Sequence, residues 1–300
     1  MTAFKETPKL PNQDHTEFAA LIKMLADKYK PLYIYRFGKL MESNFNTGCF
    51  IADSAAENYR YYLLMVIDSD ARIEHAVQDY ATSHLEHGTI TILVHGKQAM
   101  IEAIKANNKF FITVANHGEL LYSHDPTVRS FQVPEYIPTR AAEKAKKHHQ
   151  RHLSRATGFI DSAMECLRTE KCHLCLFMLH QVVEQCCLGM IRIHLGYKSD
   201  IHNLYRLLRL CDSFSPAMSG LFLDEGEEGR RLFDLIANSY SAARYQDVFE
   251  VSRQDANKLL TQVESFLTMA NILCIDKIEA LTVEAANYKQ FKLGGMICDN

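Results

Sequence analysis

The chain has 300 residues, 47% of them apolar and 23% charged, with 33 Lys and Arg against 36 Asp and Glu for a net charge of −3. These proportions exclude a disordered chain, a collagen and a disulfide-stapled mini-protein, and the near-neutral balance excludes a global basic field of the kind that attracts nucleic acid. At roughly 150 residues per domain the length suggests two domains.

Residues 17–29 place Phe18, Leu21, Ile22 and Leu25 at helical spacing. A β-branched and aromatic run over 31–37 predicts a strand ending at Gly38. A nearly continuous apolar run over 61–67 predicts a second strand, stopping at Asp68-Ser69-Asp70. A helix over 72–85, a strand over 89–95 between Gly88 and Gly96, and a helix over 97–105 follow. Short strands are expected at 110–114 and 119–122, around Gly118. Helices between buried strands imply layers of helix on sheet.

Pro126, Pro134 and Pro138 mark a seam, since proline cannot continue a helix and pushes the preceding residue toward extended geometry. After Thr139, a candidate N-cap, the period becomes 3.6. Ala156, Phe159, Ile160, Ala163, Met164 and Leu167 form one stripe. Residues 175–193 are apolar nearly all round, as a central bundle helix should be. Helices are also expected at 204–210, 231–243 and 256–275, with loops at Pro216 and over the acidic stretch 224–229. Five helices without strand signal make a helical bundle. The expected organisation is an α/β domain over 1–125, a linker over 126–139, a helical bundle over 140–280 and a tail over 281–300.

The nine cysteines are an odd number, and the polar start of the chain lacks an apolar signal region. A disulfide framework is therefore disfavoured and a reducing cytoplasm expected. No run approaches the roughly 18 apolar residues of a membrane span, so no membrane partner is expected. Cys172-x-x-Cys175 has no second thiol pair or His-x-x-x-His to complete a zinc site, and lies in an apolar helical run where thiols serve as small hydrophobes.

Three segments of the second half resemble the HEPN domain family, helical bundles often fused to nucleotidyltransferases. They are Phe177-Met-Leu-His-Gln-Val-Val-Glu184, then Ile201-His202-Asn-Leu204 with Leu207 and Leu208, then Ala243-Arg244-Tyr245-Gln-Asp247, where Gln246 stands in place of a family proline. The first half resembles a nucleotidyltransferase in outline, a family whose Asp-x-Asp strand and third carboxylate hold two divalent metals. Gly38 matches its first turn, with Lys39 in place of serine. The strand that should read Asp-x-Asp-Leu-Leu reads Arg60-Tyr61-Tyr62-Leu63-Leu64, so both metal ligands are missing on this alignment. The fold class expected is thus an α+β two-domain chain, a degenerate nucleotidyltransferase-like domain followed by an all-α HEPN bundle.

Asp68 and Asp70 are themselves an Asp-x-Asp. Capping a helix at Arg72 is the first reading and metal ligation the weaker alternative. Tyr33, Tyr35, Tyr59, Tyr61 and Tyr62 read as core residues, with base stacking the alternative. HEPN ribonucleases carry Arg-x4–6-His. Here Arg244 has no histidine at that spacing, Phe249, Glu250 and Val251 standing there instead, so the resemblance implies the non-nucleolytic branch. No catalytic residue is assigned.

His180, Gln181 and Glu184 share a helix face. With His202, Arg244 and Tyr245 they are the candidate ligand site, and a closed structural network is the other reading. The run 144–155 carries five Lys or Arg and three His. Lys146, Lys147, Arg151 and Arg155 are its candidate phosphate contacts, against a merely solvated helix face. The function expected is a non-catalytic nucleotide- or RNA-binding protein without cofactor, forming a homodimer, with a protein partner a further option. The alternative is an active enzyme, either a magnesium-dependent nucleotidyltransferase or a ribonuclease of toxin–antitoxin type.

Overall fold

A computed structural model describes residues 13–48, 51–125, 133–223, 226–245 and 249–297; the side chains of 13–15, 42–48, 51–58, 243–245 and 293–297 lie outside that description. Cα packing divides the chain into two compact units, residues 1–106 with 111–134, and residues 107–110 with 135–300.

In the first unit α1 (Gln13–Tyr29) precedes β1 (Tyr33–Gly48) and β2 (Ile51–Ile67). Next come α2 (Glu74–Ser83), β3 (Thr89–Gly96), α3 (Lys97–Lys105), α4 (Lys109–His117, split between the units) and β4 (Glu119–Ser123). The sheet order is β3-β2-β1-β4. β1 runs antiparallel to β2 and β4, and β2 runs parallel to β3. Alternation along β2 sets the layers. Tyr59, Tyr61, Leu63, Met65 and Ile67 bury against Phe18, Leu21 and Leu25 of α1 and Val77 and Ala81 of α2. The alternate set Tyr62, Leu64 and Val66 is buried too, so over residues 61–67 neither face of this strand meets water.

The outer edge of β3 is closed by side chains. Gln78 donates to the Ile90 carbonyl at 2.8 Å and accepts from the Ile92 amide at 2.9 Å, while Glu74 accepts from the Val94 amide at 3.2 Å. Exposed ladder groups that would otherwise template another strand are thereby satisfied.

Several expectations are corrected. Gly38 does not end the first strand: β1 continues to Gly48 across a bulge at Phe37, since the register passes from Arg36↔Leu63 to Gly38↔Tyr62. A Cβ on Gly38 would lie 3.0 Å from the Tyr62 ring, so glycine serves this crossing and opens no helix. Residues 110–114 are helical, within α4, because Phe110, Phe111 and Val114 supply a buried helix stripe; short apolar runs do not distinguish the two periods.

The second unit holds a 3-10 turn at Pro138–Arg140, then α5 (Ala141–Arg168), α6 (Cys172–His194), α7 (Leu204–Asp212), α8 (Ala217–Leu223), α9 (Gly226–Tyr245) and α10 (Arg253–Ile297). Thr139 falls inside the 3-10 turn. The residue preceding α5 is Arg140, which makes no side-chain cap bond. α8, between two expected loops, forms because Met218 and Phe222 find the core. Most of the acidic stretch starts α9, where Glu227 and Glu228 suit the positive end of the helix dipole. The expected tail is helical as far as Ile297, with Leu281 and Ala285 still at buried positions.

α6 is the hub, packed by α5, α7, α9 and α10. Leu176, Leu179, Val183, Cys187 and Met190 are fully enclosed or nearly so, and Phe222 packs at a tilt against both Phe233 and Phe266, with ring centroids at 5.0 and 5.1 Å. Among the described residues α6 is the one helix long and apolar enough to cross a membrane, and 72% of its most apolar window is buried within the unit, as befits a bundle core.

Candidate functional site

The polar flank of α6 carries His180, Gln181 and Glu184. His180 is 3% exposed. Its Nδ1–H donates to the Ile236 carbonyl of α9 at 3.0 Å, which leaves Nε2 as the lone-pair nitrogen, and its ring stacks on Tyr240 at 5.4 Å. Burial holds its pKa below the ordinary imidazole value, although the Ile236 bond and the Glu184 charge oppose this. His180 is therefore a pinned, neutral packing element.

Glu184 is buried and accepts twice, from Gln181 Nε2 at 3.1 Å and from His202 Nδ1 at 2.7 Å. His202 lies in the segment before α7, whose start is capped by Asn203 accepting from the Arg206 amide at 3.0 Å. The His202 side chain is 75% exposed while that of Glu184 is 7% exposed. A buried carboxylate thus orients an imidazole whose Nε2 edge is turned from it, an arrangement suited to exchanging a proton or contacting an anion. The structure brings together His180, Gln181, Glu184 and His202. Arg244 and Tyr245 close α9, and their side chains lie outside the described residues, as do Gln246 and Asp247 entirely.

The basic run lies on α5. Lys147 is committed to Glu143 at 2.9 Å. Lys146 lines a surface groove of about 560 Å³ with His149, Ile275, Ile278 and Glu279. Arg151 and Arg155 are exposed on the stripe that also carries Lys144 and His148, since steps of three, four and seven share a helix face. Across from them stands Arg192 of α6, which spacing from His194 alone did not mark as functional. Its Nε–H donates to His148 Nε2 at 3.3 Å, and Nη1 approaches the Gly196 carbonyl at 3.5 Å. His152 pairs with Gln185 at 3.1 Å. Gly189 lets α5 approach so closely, because a Cβ there would lie 3.0 Å from His152 Cβ. Burial, then the Arg192 charge, lower the His148 pKa. Burial, with Arg151, Arg155 and Arg192 adding to it, lowers that of His152 against the raising bond from Gln185. Arg192 is itself lowered by burial.

Elsewhere the candidates resolve into packing. Asp68 and Asp70 are exposed. They do not cap α2, which starts at Glu74 after Ile73 without a side-chain cap bond. Asp70 Oδ1 instead sits against Gly96, at the N-terminal end of α3, where the dipole favours an acid. Among the described residues no group of three or more His, Cys, Asp or Glu is disposed to hold a metal. Tyr33, Tyr35, Tyr59, Tyr61 and Tyr62 are buried core residues. Cys175 is a free buried thiol, pushed up to about 12 by burial.

Residues 149–273, from within α5 to within α10, match the family model of the HEPN domain. The helical region thus matches a HEPN domain over these residues, and a mixed α/β region with a four-stranded sheet precedes it in the chain. No curated protein matches the chain. A solved structure, a nucleotidyltransferase-like protein from Exiguobacterium sibiricum, matches at 8% identity and a TM-score of 0.30, covering 89% of this chain and 80% of that chain. That likeness is too loose to assign a fold.

Proposed function

We propose that this is a non-catalytic, cytoplasmic, homodimeric protein whose HEPN domain binds a nucleotide or RNA by its phosphates on the α5–α6 face. One observation carries the reading. Lys144, Arg151, Arg155 and Arg192 line that face around His148 and His152, and among the described residues none is in ion-pair contact with a carboxylate. By contrast Arg168 is paired with Glu165, Arg231 with Glu228 and Asp255, and Arg253 with Glu170. A half-buried guanidinium among other cations is costly until an anion joins it, and its planar fork suits phosphate. The non-catalytic part rests on Phe249, Glu250 and Val251 standing where a ribonuclease of this family needs histidine, and on Arg60 and Tyr62 standing where nucleotidyltransferases carry aspartates.

A ribonuclease reading has one observation of its own, the oriented and exposed His202 beside Glu184. The test is fluorescence anisotropy with labelled oligonucleotide and nucleotide, alongside gel assay of the same RNA with and without magnesium. Saturable binding weakened at least tenfold by Arg192→Ala, with RNA left intact, is expected. Cleavage abolished by His202→Ala would replace this reading with the enzymatic one. Light scattering of the full chain checks the dimer.

A further inference from the structure

Resting on that reading, we infer that the α5–α6 face is a track for several consecutive phosphates of a polynucleotide strand, not a pocket for one mononucleotide. The residues set its length. Lys144 and Arg155 are eleven positions apart on one continuous helix, α5. At a rise of about 1.5 Å per residue the stripe is about 16 Å long. In a stacked, duplex-like strand the phosphates advance about 3.4 Å along the axis, so about four or five pass along the stripe; a more extended single strand places fewer there, still more than one. A mononucleotide reaches one end of the stripe and leaves the other cations uncompensated.

Arg192 anchors the stripe midway. Its Nε is engaged by His148 and its Nη1 faces the Gly196 carbonyl, and among the described residues nothing accepts from Nη2. The helix stripe 144, 148, 151 and 155 interleaves no Phe, Tyr or Trp on which a base would stack, and its one imidazole, His148, is engaged by Arg192. Recognition is then by backbone charge. It is insensitive to base identity and to the sugar hydroxyl, and steeply dependent on salt.

Full-length protein would be titrated with labelled twelve-nucleotide oligo-U and oligo-dT over a series of salt concentrations, with UTP as competitor. Four cations on a single strand predict a slope of log affinity against log salt of about −2.8, since each contributes about 0.7. The two oligonucleotides should bind within a few-fold of each other, and UTP should compete at least a hundredfold more weakly. The double variant Arg151→Glu, Arg155→Glu, on exposed helix surface where folding is spared, should lose at least tenfold affinity and flatten the slope toward about −1.4. UTP competing as well as the oligonucleotide would overturn the track while leaving nucleotide binding intact. An unchanged slope in the double variant would also overturn it, by placing the strand elsewhere. Binding of neither probe would overturn the functional reading itself.

Discussion

His194, at the end of α6, offers the sharpest test of the packing described above. Its ring stacks on Phe214 at 4.3 Å and 9°, and its Nε2 is buried without a partner among the described residues. Burial, then the nearby Lys277 charge, push its pKa down to about 4 despite a hydrogen bond to the Leu273 backbone, with Lys109 adding to the depression. The fold therefore favours the neutral ring, and the unfolded chain, near 6.5, takes the proton first. Stability from this group is fully present above about pH 6.5 and is lost as pH falls toward about 4. At about 1.4 kcal/mol per pH unit the full effect is about 3 kcal/mol, with about 2 kcal/mol gone by about pH 5. His194→Phe keeps the stack and removes the titration. Urea unfolding followed by circular dichroism, between about pH 7.5 and about pH 5, should show the parent losing about 2 kcal/mol more than the variant. His148, His152 and His180, also lowered by burial, fall in both proteins and cancel. Parallel profiles would refute the buried-ring account.

The two glycines of the α5–α6 pair should respond oppositely to alanine. Gly158 faces open space and should gain about 0.5–1 kcal/mol from the better helix former. Gly189→Ala should lose about 1 kcal/mol net, because its Cβ meets His152; thermal melts showing both stabilised would refute the close approach. A double-mutant cycle between Glu184→Gln and His202→Ala should give a coupling of about 0.5–1.5 kcal/mol, and a value near zero would mean the 2.7 Å contact does not form. Cys175, Cys186, Cys187 and Cys274, whose thiols burial pushes up, should resist alkylation in the native protein and react on unfolding; peptide mapping that finds Cys175 labelled first would contradict this.

Local pattern determined a good deal of this molecule. The expected limits of α3 match the observed helix, β3 runs one residue past its expected end to Gly96, and the all-round apolar helix α6 is the bundle hub. Each is legible because its periodicity lies within a dozen or so neighbours and the flanking glycines and prolines punctuate it. The shared face of His180, Gln181 and Glu184 follows from helical spacing alone.

Tertiary structure decided the rest. The polar stretches at the tip of the β1–β2 hairpin carry little strand propensity and are strand because each ladder satisfies the other. Residues 110–114 are helix because of what they bury, and Gln78 closes the β3 edge through bonds to Ile90 and Ile92 that no local pattern announces. The same holds for the basic face. Its α5 half is visible as a run of charges, but Arg192 joins it from 44 positions beyond His148. The pairing of Lys147 with Glu143, one helical turn back, is local, but that Arg192 meets no carboxylate among the described residues follows only from the packing of α5 on α6. A charge in a sequence has a sign, but its neutralisation is a matter of distance, and distances between remote residues are set only when the helices pack.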